Sequence, residues 1–143
     1  MPERTTQDLD VLVRSQDAAR VQDRLREAGF IDRGRLNIGG GSWTSSDGFP
    51  LDVIECATGW CEQALREAQS NHDPSGAPVL PLPFLILMKF GAGRVQDLAD
   101  VTRMLGQASP EQLSATRAAF ARWEPEGAED LESLITLGRL EMQ

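Results

Sequence analysis

The chain has 143 residues, the length of one ordinary domain, and 41% hydrophobic and 25% charged residues give it enough apolar content for a single core. A formal net charge of -8 leaves no standing attraction for nucleic-acid phosphates or anionic lipid, so neither DNA nor a membrane is an expected partner. Any nucleotide it handles must be held locally, by a few cations or by bound metal.

The N-terminus, Met1-Pro2-Glu3-Arg4, is charged at once and does not read as a secretory signal. The most apolar stretch, residues 79–90, is broken by Pro81, Pro83 and Lys89 and is too short to span a bilayer, so a cytoplasmic location is expected. Cys56 and Cys61 are too few for a disulfide scaffold and are expected as thiols in a reducing compartment. His72 is the only histidine, which disfavours a zinc-type site.

In chain order, Leu9 to Val13 is a β-rich run in which Asp8 and Asp10 alternate with Leu9 and Val11, so the two carboxylates share one face. Ser15 then reads as an N-cap. Ala18, Val21, Leu25 and Ala28 follow at helical spacing, with Gly29 closing the helix and Phe30 packing back. Leu36 to Ile54 is rich in Gly and Ser and predicts two or three strands, with Asp47-Gly48 as a hairpin turn between 42–45 and 51–54. Residues 70–81 predict a linker loop between a sheet-rich part, 1–69, and a helical part, 82–143, of one domain.

In the helical part, 84–91 is apolar on all sides except Lys89. Leu98, Val101 and Leu105 form the inner stripe of the next helix, which Gly106 ends. Ser109-Pro110-Glu111-Gln112 is a capping box with proline at the first helical position. Leu113, Phe120 and Trp123 face inward until Pro125 stops that helix, and Leu131, Leu134 and Ile135 mark a last one with Gly138 near its end. Trp43 and Trp60 read as core or interface, and His72 as a solvated loop residue.

Four groups can carry chemistry. Asp8 and Asp10, two apart on a strand, are about 7 Å apart along it and can converge on divalent cations, although a strand-end residue and a turn cap would show the same spacing. Asp52 is an aspartate inside the apolar run Leu51-Asp52-Val53-Ile54, where Asp is disfavoured. If that run pairs beside Leu9–Val13, the three carboxylates form one acidic cluster. Lys89 either snorkels to the surface or meets a carboxylate or phosphate. Asp97 and Asp100, three apart at a helix start, either complement the helix dipole or pair with Lys89 or Arg94 and lock the helix corner.

Residues 6–13, Thr-Gln-Asp-Leu-Asp-Val-Leu-Val, then Leu51-Asp52-Val53-Ile54, then residues 87–101 with Lys89, Arg94, Asp97 and Asp100, resemble the successive motifs of bacterial minimal nucleotidyltransferases, in particular their abortive-infection toxin-like branch. Order and rough spacing match over residues 4 to about 105. The resemblance implies an α+β nucleotidyltransferase fold, a mixed β-sheet flanked by helices with a helical C-terminal half. It implies two Mg²⁺ ions and transfer of a nucleoside monophosphate from a nucleoside triphosphate to a hydroxyl acceptor on protein or RNA. Asp8, Asp10 and Asp52 would hold metal, with Asp52 also activating the acceptor. Lys89 and Arg94 would meet phosphate, Asp97 and Asp100 would brace the corner, and a toxin–antitoxin setting is expected.

The family's Gly-Gly or Gly-Ser phosphate loop stands roughly a dozen residues before its first aspartate, at a helix start. Only seven residues precede Asp8. Gly39-Gly40-Gly41-Ser42 lies after the first aspartates and reads as a hairpin loop, not as a relocated cradle. Two expectations follow: either the true start lies upstream, or the chain is a degenerate member. The alternative function is thus a catalytically inactive module used in protein interaction, for instance as a homodimer.

Overall fold

The computed structural model describes residues 9–143. In order, its elements are β1 (Leu9–Arg14), α1 (Ala18–Glu27), β2 (Ile31–Arg35), β3 (Gly40–Thr44), β4 (Pro50–Cys56), α2 (Cys61–Ala68), α3 (Leu82–Ala92), α4 (Val95–Gln107), α5 (Pro110–Trp123) and α6 (Ala128–Glu141). The class is α+β, and the chain divides into two compact units, Met1–Cys61 and Glu62–Gln143. Among the described residues, no helix is long and apolar enough to cross a membrane.

The first unit holds a four-stranded mixed sheet in the order β1-β4-β3-β2. β1 and β4 run parallel, and the other two pairings are antiparallel. Strand alternation assigns the faces. Val11, Val13, Trp43, Leu51 and Val53 gather on one face with Val21, Leu25 and Phe30, so α1 lays its apolar stripe on that side. Burying each large apolar side chain contributes roughly 1.5–3 kcal/mol. α1 ends as its sequence predicts. Gly29 N–H bonds to the Arg26 carbonyl and Phe30 N–H to the Leu25 carbonyl, a Schellman motif that aims Phe30 at the core.

The start of that helix differs from expectation. Ser15 does not cap it; its hydroxyl donates to the Cys56 carbonyl, 3.0 Å away, at the end of β4. The Asp47-Gly48 turn forms as expected, with Gly48 N–H bonded to the Ser45 carbonyl. The glycine run is a strand start, not a loop, because β3 begins at Gly40. Gly40 has φ 109°, and a Cβ there would sit 1.9 Å from the Val53 carbonyl oxygen, so no other residue fits. β2 and α2 were not anticipated. β2 is exposed throughout and bulges between Asp32 and Gly34, which hides its period of two.

Cys56 and Cys61 form a disulfide, with their Cα atoms 5.9 Å apart, in place of the expected thiols. Cysteine count carries no sign of this pairing; the turn after β4 brings the two side chains together. Loop-closure entropy gives so short a ring only about 2 kcal/mol.

In the second unit, no helix or strand element lies between α2 and α3, as the loop expectation had it, and hydrogen bonds order residues 71–79. Asn71 and Val79 exchange hydrogen bonds, and the Asp73 carboxylate accepts from Ser75 N–H, Ser75 hydroxyl and Ala77 N–H. The Ser109–Gln112 capping box is complete, with both reciprocal bonds present. α3 meets α5 through Phe90 and Phe120, edge to face at 5.2 Å between ring centroids. α5 meets α6 through a two-pronged pair of Arg117 with Glu132.

Gly106 is the penultimate residue of α4 and Gly138 lies in the last turn of α6, close to the helix ends as expected. A Cβ on Gly106 would come within 2.4 Å of the Gly138 carbonyl oxygen, and one on Gly138 within 2.3 Å of the Thr102 carbonyl oxygen. The two helix backbones therefore touch. Gly138→Ala should push them apart and cost roughly 1–3 kcal/mol in urea unfolding, despite the better helix propensity of alanine. An unchanged or raised midpoint would disprove the close crossing.

Candidate functional site

The parallel pairing of β1 with β4 places Asp10 directly opposite Asp52. Their neighbours Val11 and Val53 are also paired and both belong to the core under α1. Both aspartates therefore point to the opposite face of the sheet. Adjacent strands lie about 4.8 Å apart, so two carboxylates stand side by side near the start of each strand. Ser42 of β3 pairs with Asp52 and, because the adjacent Trp43 and Leu51 are core residues, shares that face. Asp10 is exposed, while Asp52 and Ser42 are half-buried. Asp8, expected as the third carboxylate, lies outside the described residues.

Ser42 was missed in the sequence, though a signal existed. It and Asp52 each stand five residues from Asp47, so counting outward from the hairpin turn pairs them.

Two carboxylates and a hydroxyl are hard oxygen donors, the kind that suits Mg²⁺, which is bound through one or two carboxylates together with substrate phosphates. Like charges at this spacing repel unless a cation, a proton or water intervenes. Among the described residues, no three His, Cys, Asp or Glu side chains are grouped to hold a metal ion. The donors of this face fit Mg²⁺ in kind, as a pair.

The other four sequence candidates meet in the second unit, at the turn from α3 to α4. Gly93 makes the turn in a left-handed conformation, its N–H bonded to the Lys89 carbonyl. Arg94 then grips Asp97 with Nε donating to Oδ2 at 2.6 Å and Nη2 to Oδ1 at 3.2 Å. Lys89 Nζ lies 3.2 Å from Asp100 Oδ2 and 4.0 Å from Asp97 Oδ1. Arg103, not anticipated, adds a bond to Asp100 Oδ1 at 3.3 Å, an i,i+3 pair readable in the sequence. Three cations thus share two carboxylates. The expected pairing of Asp97 with Lys89 or Arg94 at the helix corner is present, and both cations, which the resemblance assigned to phosphate, are engaged here by aspartates.

The Asp97 side chain is only 5% exposed, whereas that of Arg94 is 71% exposed. The Arg94 hydrogen bonds hold the Asp97 carboxyl below its ordinary 3.8; burial opposes this, and the charges of Arg94 and Lys89 assist. No protein-family model matches this chain, and a search of curated proteins finds no match.

A carboxyl depressed in the folded state binds fewer protons there than in the unfolded chain, so stability rises with pH across its titration. The Asp97 contribution should be complete above 3.8 and disappear as pH falls from there through the lower folded value. Urea unfolding of wild type and Asp97→Asn between about pH 3 and pH 6 checks this. The wild-type slope should exceed the variant's by up to about 1.4 kcal/mol per pH unit, and equal slopes would remove Asp97 from the acid response.

Proposed function

We propose that this chain is a metal-dependent nucleotidyltransferase of the minimal type, moving a nucleoside monophosphate from a nucleoside triphosphate to a hydroxyl on protein or RNA. The observation that supports this is the in-register pair Asp10–Asp52 on adjacent parallel strands, joined on the same face by Ser42. A strand interior is a costly place for aspartate, and two aligned across one ladder repel each other. A cation-binding task explains why both are there.

In this reading Asp10 and Asp52 hold Mg²⁺, with Asp8 as the expected third ligand. The bound metal supplies charge neutralisation to the triphosphate oxygens. Asp52, half-buried beside Ser42, would accept the proton of the attacking hydroxyl, and Ser42 would orient the Asp52 carboxylate by a hydrogen bond. The α3–α4 ion network braces its own helix corner. A toxin–antitoxin setting belongs to the same proposal.

A second reading is a catalytically silent module that pairs with another protein or with itself. It draws on the place of β1 as an outer strand of the sheet, and an outer strand is a template for adding another.

Calorimetric titration with ATP, GTP, CTP and UTP, with and without Mg²⁺, separates the two. The transferase reading expects Mg²⁺-dependent binding of at least one nucleotide, weakened about tenfold or more by Asp10→Asn and by Asp52→Asn, with folding unchanged by circular dichroism. Absence of binding at millimolar nucleotide, or binding that both variants retain, would overturn it. A concentration-dependent dimer with no nucleotide binding would favour the silent module.

A further inference from the structure

We propose that Cys56 and Cys61 form a reversible thiol–disulfide site, opened by a dithiol reductant and closed again by an oxidised thiol. The pair joins the last residue of β4 to the first residue of α2, across Ala57, Thr58, Gly59 and Trp60. Both cysteines are buried, at 8% and 6% exposure, but Ala57, Thr58 and Gly59 above them are exposed. The proposed exchange therefore needs that connector, in which only Trp60 is buried, to move aside.

Three observations distinguish this pair from a structural staple. The ring is short, so it removes little freedom from the unfolded chain and adds little to stability. The first unit already has a core of its own around Trp43, Leu51 and Val53, on the face opposite Cys56. The surroundings also favour the opened form at one sulfur. Cys61 opens α2, where backbone N–H groups face outward, and the Thr58 hydroxyl lies 3.2 Å from its Sγ but 3.7 Å from that of Cys56. Negative charge developing on Cys61 Sγ therefore meets a hydroxyl donor and the positive end of a helix.

That asymmetry gives the exchange a direction. A reductant thiolate attacks Cys56 Sγ and forms a mixed disulfide, the Sγ–Sγ bond breaks, and Cys61 leaves as thiolate. The second thiolate of the reductant then attacks its own sulfur in the mixed disulfide and closes into an oxidised dithiol. Cys56 is released as thiolate, and the two cysteine sulfurs take up the two protons that the reductant gave up. Two electrons pass from the dithiol to the pair. In the reverse direction the Cys56 thiolate attacks the oxidised partner and forms the mixed disulfide, and the Cys61 thiolate then attacks Cys56 Sγ, re-forming the Sγ–Sγ bond and expelling the partner's thiolate.

The inference is independent of the sheet acids and is tested without any activity. Full-length wild type is incubated with dithiothreitol in native buffer and in rising sub-denaturing urea, and new thiols are trapped with maleimide and counted by mass. Reduction in native buffer at a rate that urea leaves unchanged is the expected result. Reduction only along the global unfolding curve would show a structural staple and overturn the proposal. In single-cysteine variants, Cys61 in Cys56→Ser should exchange with oxidised glutathione about tenfold faster than Cys56 in Cys61→Ser. Equal rates would overturn the assigned direction.

Discussion

Parallel pairing between β1 and β4 is the constraint on which the sheet unit depends. It joins strands 42 positions apart in sequence at the Asp10–Asp52 step. A parallel connection needs a long crossover, and here the crossover holds α1, β2 and β3. The register then does two things together. Val11 beside Val53 builds the floor on which α1 packs, and Asp10 beside Asp52 builds the acidic face behind it. A one-residue slip would exchange the two sets, burying the carboxylates and exposing the valines. The hydrophobic burial that stabilises this unit is thus also what holds the like charges together.

The helical unit solves a different problem. A corner between two helices leaves free carbonyls at the end of one and free N–H groups at the start of the next. Gly93 turns the chain, and Lys89, Arg94 and Arg103 gather around Asp97 and Asp100. Because the Asp97 carboxylate is buried while the Arg94 side chain reaches water, the pair avoids much of the desolvation that two buried charges would suffer. Further along α4, the Gly106–Gly138 contact lets two backbones meet where side chains would hold them apart. Ionic bracing at one end and close backbone contact near the other make α4 the reference element of this unit.

The features legible in the sequence share a short range. The Ser109 capping box, the Gly29 helix end with Phe30, the Asp47-Gly48 turn and the stop at Pro125 each depend on residues within a few positions of one another, and each forms. The aspartate of Leu51–Ile54 stood out because its residue type conflicts with its strand, and the structure sets it beside Asp10. Errors arose where a local signal had a distant competitor. Ser15 looked like a cap, but its hydroxyl bonds to Cys56, 41 residues on. Gly106 does stand beside the end of α4, but what keeps it small is the backbone of Gly138. Gly40 looked like a loop residue, but the Val53 carbonyl excludes a side chain there.

By itself, then, the sequence determined α1 and the four helices from α3 to α6, the Ser109 cap, the Gly29 helix end, the hairpin turn and the residue types able to bind a cation or brace a corner, because those properties reside in neighbouring residues and in their chemistry. Tertiary structure alone decided that Asp10 lies beside Asp52 on one ladder, that Cys56 bonds to Cys61, and that α4 touches α6 through glycine. Each of these is a meeting of groups whose separation depends on how the chain between them folds, and hydrophobic spacing along one segment carries no information about which distant segment will lie beside it.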